Sequence, residues 1–187
     1  PCRCVGITGS VGKTTTKEMI AAVLRTALRT QWTEKNYNNE IGLPVSVLRL
    51  KPDCEAAVLE MGMNHFGELS VLTRIAQPDL AVITNIGTMH IENLGSREGI
   101  LRAKLEILEG LRPGGRVIFN GDDALLRPLA ARYHAVCFGL SEGCDVRASR
   151  VCESAERSKF TVHAFGKSFE AALNVPGLHN VLDALAA

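Results

Sequence analysis

The sequence predicts an α/β fold: a mostly parallel β-sheet flanked by helices, with a phosphate-binding loop (P-loop), plus a small antiparallel β subdomain near the C-terminus. Three observations lead to it. Short apolar runs alternate with helically periodic segments as far as about residue 140, and this alternation is typical of parallel strands joined by crossover helices. A glycine-rich turn follows the first apolar run. After Gly139 the segments become strand-like runs separated by turns.

The first two elements have the clearest patterns. Residues 3–8 form an apolar run of strand length, and residues 13–29 carry their apolar side chains on one side, as expected of a helix packed on a sheet. Further apolar runs predict strands at residues 56–61, 80–86, 116–120 and 135–138. Helices are predicted between them at residues 44–50, 68–76, 96–111 and 123–132.

Beyond residue 140 the pattern changes to antiparallel strands. Three segments have this strand-like pattern: residues 145–151, 159–164 and 168–175. The final letters, HNVLDALAA, open a helix. The predicted organisation is an α/β core at 1–140, a small β subdomain at 141–178 and the start of a helix at 179–187. We expect these parts to form one domain taken from a longer protein.

The composition restricts the classes of function. The 187 residues include 21 Lys and Arg against 20 Asp and Glu, a formal net charge of +1. This balance argues against a general nucleic-acid scaffold, because a grip on phosphates requires an excess of basic residues. No apolar run approaches the roughly 18–20 residues that span a bilayer, and the first residues lack the layout of a secretory signal. The sequence therefore predicts a cytoplasmic protein without a membrane span.

The strongest local signal is the stretch GITGSVGKTT. A strand that leads through a glycine turn into a helix presents backbone N–H groups and a partial positive charge to an anion. The residues predicted to surround the phosphates of a nucleotide are Gly9, Ser10, Val11, Gly12, Lys13, Thr14 and Thr15. Lys13 would reach the β and γ phosphates, and the Thr14 hydroxyl would ligate Mg2+.

This loop departs from the strict P-loop pattern. That pattern requires a glycine five residues before Gly12, where this chain has Ile7, so the first glycine of the loop is Gly9. The alternative interpretation is a tight strand-to-helix turn with Lys13 on the surface. The order of strand, loop and helix favours the phosphate site.

Three polar residues at or after the ends of apolar runs are further candidates, Asn85 among them as a contact of the nucleotide. Glu60 closes the run AAVLE, Asn85 closes LAVITN, and His90 lies five residues later. Ligands of open α/β sheets lie at the carboxyl ends of the strands, so Glu60 is predicted to face the phosphates and to hold Mg2+ directly or through water. The alternatives are a carboxylate that caps a neighbouring turn and a structural histidine.

Lys104 lies in an unusual place for a charged residue. On a helical wheel of residues 96–111 it falls near the middle of an arc of isoleucines and leucines, whereas Arg102 and Glu106 lie outside the arc. A lysine that faces a core must snorkel, pair with an anion or lose its charge. Beside a triphosphate and Mg2+, a neutral amine could react with CO2 to give an anionic carbamate. The alternative is a buried stem with an exposed ammonium.

Six segments occur in an order that resembles the central domain of the Mur ligase family. They are TGSVGKTTTKEM, NYNNEIGLPVSVLRL, LEMGMNHFGEL, ITNIGTMHIENLGS, RAKLEIL and PGLHNVLDALAA, and the resemblance extends along nearly all 187 residues. The third segment discriminates best within the family. It resembles the members that add D-alanyl-D-alanine to a UDP-N-acetylmuramoyl tripeptide.

The resemblance implies an ATP-dependent peptide ligase of cytoplasmic peptidoglycan synthesis. In that family a substrate carboxylate attacks the γ-phosphate of ATP to give an acyl phosphate, and an incoming amine then displaces phosphate. By matching positions, Lys13 would stabilise the transferring phosphoryl group. Thr14 and Glu60 would hold one Mg2+, and His90 with a carbamylated Lys104 would hold a second.

The resemblance also implies contacts away from the phosphates. Asn180, beside His179, matches the family's adenine contact. Asn36, Asn38 and Asn39 match a loop near the UDP-sugar peptide. The implied partners are a UDP-N-acetylmuramoyl peptide and D-alanyl-D-alanine, with no nucleic acid.

Two features of the sequence limit what the resemblance implies. Asp183 occupies a position that is often Asn in the wider family, so the adenine contact depends mainly on Asn180. The family's N-terminal domain, which binds the UDP moiety, and its C-terminal domain, which helps to hold nucleotide and amine, do not match any part of these 187 residues. We expect the 187 residues by themselves to bind nucleotide weakly and to catalyse little or nothing.

Other functions remain open at this point. One is a different ligase of the same superfamily, which would add diaminopimelate, lysine or, as in a folylpolyglutamate synthase, glutamate. Another is a P-loop switch or regulatory module without ligase chemistry, although a GTPase would need a guanine-reading NKxD segment that this sequence lacks. A small-molecule kinase is a third.

Overall fold

The structure is a computed structural model that describes residues 2–187. The strands of this part of the chain are β1 Arg3–Thr8, β2 Thr30–Trp32, β3 Ala56–Glu60, β4 Leu80–Ile83, β5 Arg116–Asn120, β6 Val136–Gly139, β7 Val146–Glu153, β8 Ser158–Ala164 and β9 Lys167–Leu173. They form one sheet in the order β2-β3-β1-β4-β5-β6-β7-β8-β9.

The helices lie mainly between the parallel strands. They are α1 Lys13–Leu24, α2 Gly42–Leu48, α3 Glu68–Ala76, α4 Ile91–Leu94, α5 Arg97–Leu105, α6 Ala130–Tyr133 and α7 Leu178–Leu185. Two short 3-10 helices, Glu106–Gly110 and Arg127–Leu129, adjoin α5 and α6. Within residues 2–187, none of these helices combines the length and the hydrophobicity that crossing a membrane requires.

The sheet confirms the predicted fold class. Strands β2 to β6 and β1 pair in parallel, and β8 and β9 pair antiparallel with their neighbours. Strand β7 joins the two parts, because it pairs in parallel with the end of β6 at two positions and antiparallel with β8 along most of its length. The predicted antiparallel strands therefore continue the main sheet.

Each face of the sheet carries its own hydrophobic core because successive strand side chains point to opposite sides. In β3, Leu59 packs into the core that also contains residues of α3 and α5, whereas Val58 packs against α1 and α7 on the other face. Burial on both faces explains the continuous apolar runs of these strands. The strands of the parallel part thus hold their carboxyl ends in fixed positions.

Three carboxyl ends meet beside the glycine-rich loop. Strand β1 lies between β3 and β4, with Ile7 in register with Glu60 and Thr8 in register with Ile83. The sheet therefore extends from β1 in both directions, with β3 and β2 on one side and the other six strands on the other. A crevice at such a switch point is where open α/β sheets bind ligands.

The first predicted helix is five residues too long. It was expected over residues 13–29 but α1 ends at Leu24, and turns lead from there into β2. Strand β2 itself was not predicted, because its three residues are too short to show a period. Pairing with β3 determines its strand conformation.

The predicted helix at residues 123–132 is also wrong over most of its length. Asp123 instead accepts hydrogen bonds from the backbone N–H groups of Leu125 and Leu126, and regular helix begins only at Ala130. A short aspartate side chain competes with the backbone in this way and favours turns. The predicted helix at 96–111 becomes α5 followed by a 3-10 helix, and α4 was not predicted.

Candidate functional site

The turn between β1 and α1 requires its glycines. Gly12 has a φ of 82°, and a Cβ at this position would lie 2.5 Å from Asp183 Oδ1. A Cβ at Gly9 would overlap the Thr84 hydroxyl. Both positions therefore admit only glycine, and the loop packs closely against the neighbouring chain. The N–H groups that begin α1 have no acceptors within the helix, so they are available to an anion.

Residues that follow β4 hold the tip of this loop. Thr84 Oγ1 donates to the Val11 carbonyl at 2.6 Å, and the Asn85 amide donates to the same carbonyl at 2.9 Å. The Val11 N–H donates to Asn85 Oδ1 at 3.0 Å. Asn85, predicted as a nucleotide contact, thus braces the backbone of the loop on both sides of Val11.

Lys13 lies folded over the loop that precedes it. Its Nζ donates to the Gly9 carbonyl at 2.8 Å and to the Ser10 carbonyl at 3.3 Å. Burial lowers the pKa of Lys13, and the negative charge of Glu60 opposes that shift. The ammonium is therefore held at the loop, where a phosphate on the loop would meet it.

The structure brings Thr14 and Glu60 together. Glu60 is 2% exposed at the end of β3, and its Oε2 accepts a hydrogen bond from Thr14 Oγ1 at 2.9 Å. Its Oε1 accepts one from the Asn38 amide at 2.7 Å. The Glu60 N–H donates to the Thr33 hydroxyl at 3.0 Å. Two side chains thus define the orientation of one buried carboxylate, and a third holds the backbone of the same residue.

A polar cavity of about 210 Å3 opens beside the loop. It unites residues that were predicted separately, from the glycine-rich loop, the asparagine loop, the segment after β4 and one helix. Its lining comprises Gly9, Ser10, Lys13, Asn38, Asn39, Gly62, Met63, Asn64, Glu68, His90 and Lys104. A larger cavity of about 510 Å3 elsewhere is mainly apolar and contains none of the predicted site residues.

Lys104 reaches this cavity from α5 and is 3% exposed. It forms no salt bridge with any carboxylate among residues 2–187. Burial, together with the positive charge of Lys13, lowers the pKa of Lys104 to about 7. A substantial fraction of this amine is therefore neutral near neutral pH.

His90 lies across the cavity on the loop after β4. It caps the start of α4 with a φ of 63°, a conformation that non-glycine residues seldom adopt. Its side chain is half-buried and lines the cavity together with Lys13 and Lys104. His90 and Lys104, which were predicted to share a metal ion, thus line the same cavity.

The three predicted substrate-loop asparagines separate in the structure. Asn38 lines the cavity and holds Glu60, and Asn39 lines it while its Oδ1 accepts the N–H of Gly42 at 2.8 Å. Asn36 is exposed and lies outside the cavity lining. Asn38 and Asn39 therefore have structural partners of their own in addition to facing the cavity.

Helix α7 packs beside the loop and α1. Asp183 accepts a hydrogen bond from Thr16 Oγ1 at 3.0 Å and touches Gly12. Asn180 lies one turn earlier on the same helix, and its amide donates to the Pro176 carbonyl at 2.6 Å. His179 is exposed. Asn180 and His179 do not line the polar cavity but belong to the helix that Asp183 fastens to the loop.

Two residues that contact Glu60 in the structure were not predicted from the sequence. Lys17 is 1% exposed and lies 4.0 Å from Glu60 Oε2, and Thr33 holds the Glu60 backbone. A helical wheel could have found Lys17, because it lies three residues before Ile20 on the buried face of α1. Nothing local marks Thr33, since its role arises from the pairing of β2 with β3.

The residues present fit a nucleotide with a divalent cation. The loop leads into α1, whose first N–H groups have no acceptors within the helix and can donate to phosphate oxygens. Thr14 and Glu60 offer a hydroxyl and a carboxylate 2.9 Å apart. Within residues 2–187, no group of three or more His, Cys, Asp and Glu side chains could hold a metal alone. A hydroxyl and a carboxylate are the kind of partial ligand set that Mg2+ takes, since it completes its shell with phosphates and water.

Comparison with known proteins decides the family. The model of the Mur ligase middle domain matches residues 7–187. The chain belongs to the Mur ligase family. Among curated members of the family, the UDP-N-acetylmuramoyl-tripeptide–D-alanyl-D-alanine ligase of Bacillus subtilis is 47% identical over 185 residues, or 99% of this chain. The chain spans only 40% of the length of that relative.

Solved Mur ligase structures share the fold closely. A crystal structure of MurF from Acinetobacter baumannii superposes with a TM-score of 0.92 at 38% identity, over 99% of this chain and 41% of that one. MurF from Thermotoga maritima, crystallised in complex with ADP, gives a TM-score of 0.91 at 34% identity, over 99% of this chain and 44% of that one. The resemblance seen in the sequence is confirmed at the level of family and fold.

Proposed function

We propose that this chain is the ATP-binding middle domain of a ligase that adds D-alanyl-D-alanine to a UDP-N-acetylmuramoyl tripeptide, in the cytoplasmic synthesis of peptidoglycan precursors. One observation carries the proposal: Thr14 and Glu60 share a hydrogen bond of 2.9 Å directly beside the loop on which Lys13 is held. Relatives named for this reaction match nearly the whole chain. The remainder of the reaction would depend on other domains of the protein.

The glycine-rich loop and Lys13 would bind the phosphates of ATP. The N–H groups at the start of α1 would donate to phosphate oxygens, and the Lys13 ammonium would leave the loop carbonyls for the transferring phosphoryl group. A carboxylate of the UDP-linked peptide would attack that phosphoryl group and release ADP. Asn85 and Thr84 would keep the loop in place for the phosphates.

Two sets of side chains would hold Mg2+. Thr14 and Glu60 form one set, and His90 with a carbamylated Lys104 forms the other. The bound ions would supply positive charge beside the phosphoryl and acyl-phosphate oxygens. The neutral amine of Lys104 would bond to the carbon of CO2 and lose a proton, which would leave an anionic carbamate in the cavity that Lys13 and His90 also line.

The remaining predicted contacts concern the adenine of ATP and the UDP-sugar peptide. Asn180 and His179 would lie near the adenine, since α7 is fastened beside the loop through Asp183. Asn36, Asn38 and Asn39 would lie towards the UDP-sugar peptide, with Asn38 also orienting Glu60. The amine of D-alanyl-D-alanine would enter the cavity and displace phosphate from the acyl phosphate.

The test is a substrate comparison with the full-length enzyme. We expect ADP release with UDP-N-acetylmuramoyl tripeptide and D-alanyl-D-alanine, and none with single amino acids or with a folate and glutamate. Product mass would identify the bond formed. Ligation of a single amino acid would overturn the substrate assignment, and a preference for GTP over ATP would overturn the ligase itself.

A further inference from the structure

Lys17 is the most deeply buried charged side chain of the site, and the proposed reaction does not use it. It is 1% exposed, lower than Glu60 at 2% or Lys104 at 3%. It lies one turn beyond Thr14 in α1, and residues three apart on a helix face the same way. Its side chain therefore extends behind the pair formed by Thr14 and Glu60.

Three acceptors surround the ammonium of Lys17. Nζ donates to the Thr33 carbonyl at 2.7 Å and lies 3.0 Å from Glu18 Oε1 and 4.0 Å from Glu60 Oε2. One hydrogen bond and two ionic contacts therefore surround the ammonium. A lysine is tolerated at such depth because these partners compensate for the water it has lost.

Glu60 requires a counter-charge at its position. The hydrogen bonds it receives come from Thr14 and Asn38, which are both neutral. Among residues 2–187, Lys17 is the only cation that forms a salt bridge with it. A buried carboxylate without a paired charge is strongly unfavourable, so Lys17 balances Glu60 electrically from the side away from the cavity.

We propose that Lys17 is a positioning residue that holds Glu60 in the orientation needed for the divalent cation of the nucleotide, before that cation arrives. The inference rests on the proposed function, because it concerns the same cation site. Lys17 acts through Glu60 Oε2, the oxygen that also accepts the Thr14 hydroxyl. Outer-shell partners of this kind orient ligands and set metal affinity.

A purely structural role for Lys17 makes a different prediction. In that case its contact with the Thr33 carbonyl would join α1 to the end of β2. Loss of the lysine would then lower stability without changing how strongly a divalent cation tightens nucleotide binding. The two roles are separated by measuring the cation dependence directly.

The experiment compares Lys17→Met with wild type in the full-length protein, using Mn2+ as the cation and ADP as the nucleotide. Free Mn2+ is counted by electron paramagnetic resonance, and ADP binding is measured with Mn2+ and again in EDTA. We expect the Kd of Mn2+ in the ADP complex to rise roughly 10- to 100-fold, with the Kd of ADP in EDTA nearly unchanged. Glu18→Gln is the matched control, since Glu18 is half-exposed and contacts Lys17 without contacting Glu60, and it should leave both values unchanged.

The outcomes distinguish this inference from the proposed function. Unchanged Mn2+ affinity in Lys17→Met overturns the inference alone. A wild-type protein that binds ADP equally with Mn2+ and in EDTA overturns the proposed function, and the inference with it. If Lys17→Met unfolds, the melting temperature of the double variant Lys17→Met with Glu60→Gln is compared with that of Lys17→Met and of wild type. Recovery towards wild type supports the charge pairing, and no recovery overturns it.

Discussion

The two buried lysines of the site have opposite surroundings. Lys17 lies behind the loop against a carbonyl and two carboxylates, whereas Lys104 lies in the polar cavity in front of it, with Lys13 as its charged neighbour. The pKa of Lys104 falls to about 7, chiefly because it is buried and secondarily because of Lys13. Depth of burial is nearly the same for both. Two lysines of similar burial therefore differ in their charged neighbours, which are carboxylates for Lys17 and a second lysine for Lys104.

The same contrast divides the site into two electrostatic regions. Glu60 with Lys17 forms a balanced pair that is closed to solvent. Lys13, Lys104 and His90 line an open cavity that contains a single carboxylate, Glu68. An electropositive cavity suits phosphates and carboxylates, and under the proposed function the balanced pair behind it would keep Glu60 in place for a cation.

The largest expected effect comes from Lys13→Ala, because Lys13 faces both regions. Its removal should lower kcat of the full-length enzyme by roughly 10²- to 10³-fold, since no other side chain supplies this charge at the loop. Steady-state release of phosphate measures it. Lys51→Ala, on an exposed position, is the control. Near-normal turnover in Lys13→Ala would contradict the phosphate site.

Lys104→Ala should give the next largest effect. We expect a loss of roughly 10²-fold in kcat, of the order seen for other groups that stabilise transition-state charge, with partial recovery in acetate, whose carboxylate replaces the carbamate. Turnover against acetate concentration is the measurement. Arg102→Ala, on the exposed side of the same helix, should lose little activity and gain nothing from acetate. A loss that acetate does not restore would argue against the carbamate.

Removing each lysine should change the stability of the fold in opposite directions. The pKa of Lys104 is about 7 in the folded protein and 10.5 in an ordinary lysine. The unfolded chain therefore binds more protons between these values, and the free energy of unfolding should rise with pH across about pH 7 to 10.5. Lys104→Met should remove this dependence and raise the melting temperature at or below pH 7 by several degrees.

Lys17→Met should instead lower the melting temperature, because it leaves Glu60 without its salt-bridge partner. Thermal melts of the two variants in CO2-free buffer, without nucleotide, provide the comparison. If the melting temperatures of both variants shifted equally and in the same direction, the surroundings of Lys17 and Lys104 would not differ in the way described.

The smallest effect is expected on the flank of the loop, at Asp183. Burial raises the pKa of this carboxyl, and its Oδ1 accepts the Thr16 hydroxyl. Asp183→Asn retains that acceptor, so the free energy of unfolding should change by less than about 1 kcal/mol. Asp183→Leu should cost more because the Thr16 hydroxyl loses its partner. Denaturant unfolding measures both, and an Asn variant as damaging as the Leu variant would show that the negative charge matters.

Prediction from the sequence succeeded where a pattern was long or a motif was local. The strand Arg116–Asn120 and the helix Glu68–Ala76 have the predicted bounds, and Lys104 is buried as its helical wheel indicated. The failures were short elements such as β2 and the turn at Asp123, where pairing or side-chain bonds determine the conformation. The roles assigned to site residues remain predictions.

The sequence alone was enough for the order of the longer strands and helices, the glycine loop and the family resemblance, because each depends on residues close together in the chain. Only the tertiary structure decided that Asn38 and Lys17 hold Glu60, that Asn85 braces Val11, and that Asn36 lies apart. These contacts join residues up to 74 positions apart. They exist because parallel pairing sets β1, β3 and β4 side by side with their carboxyl ends together, and no local pattern encodes that alignment.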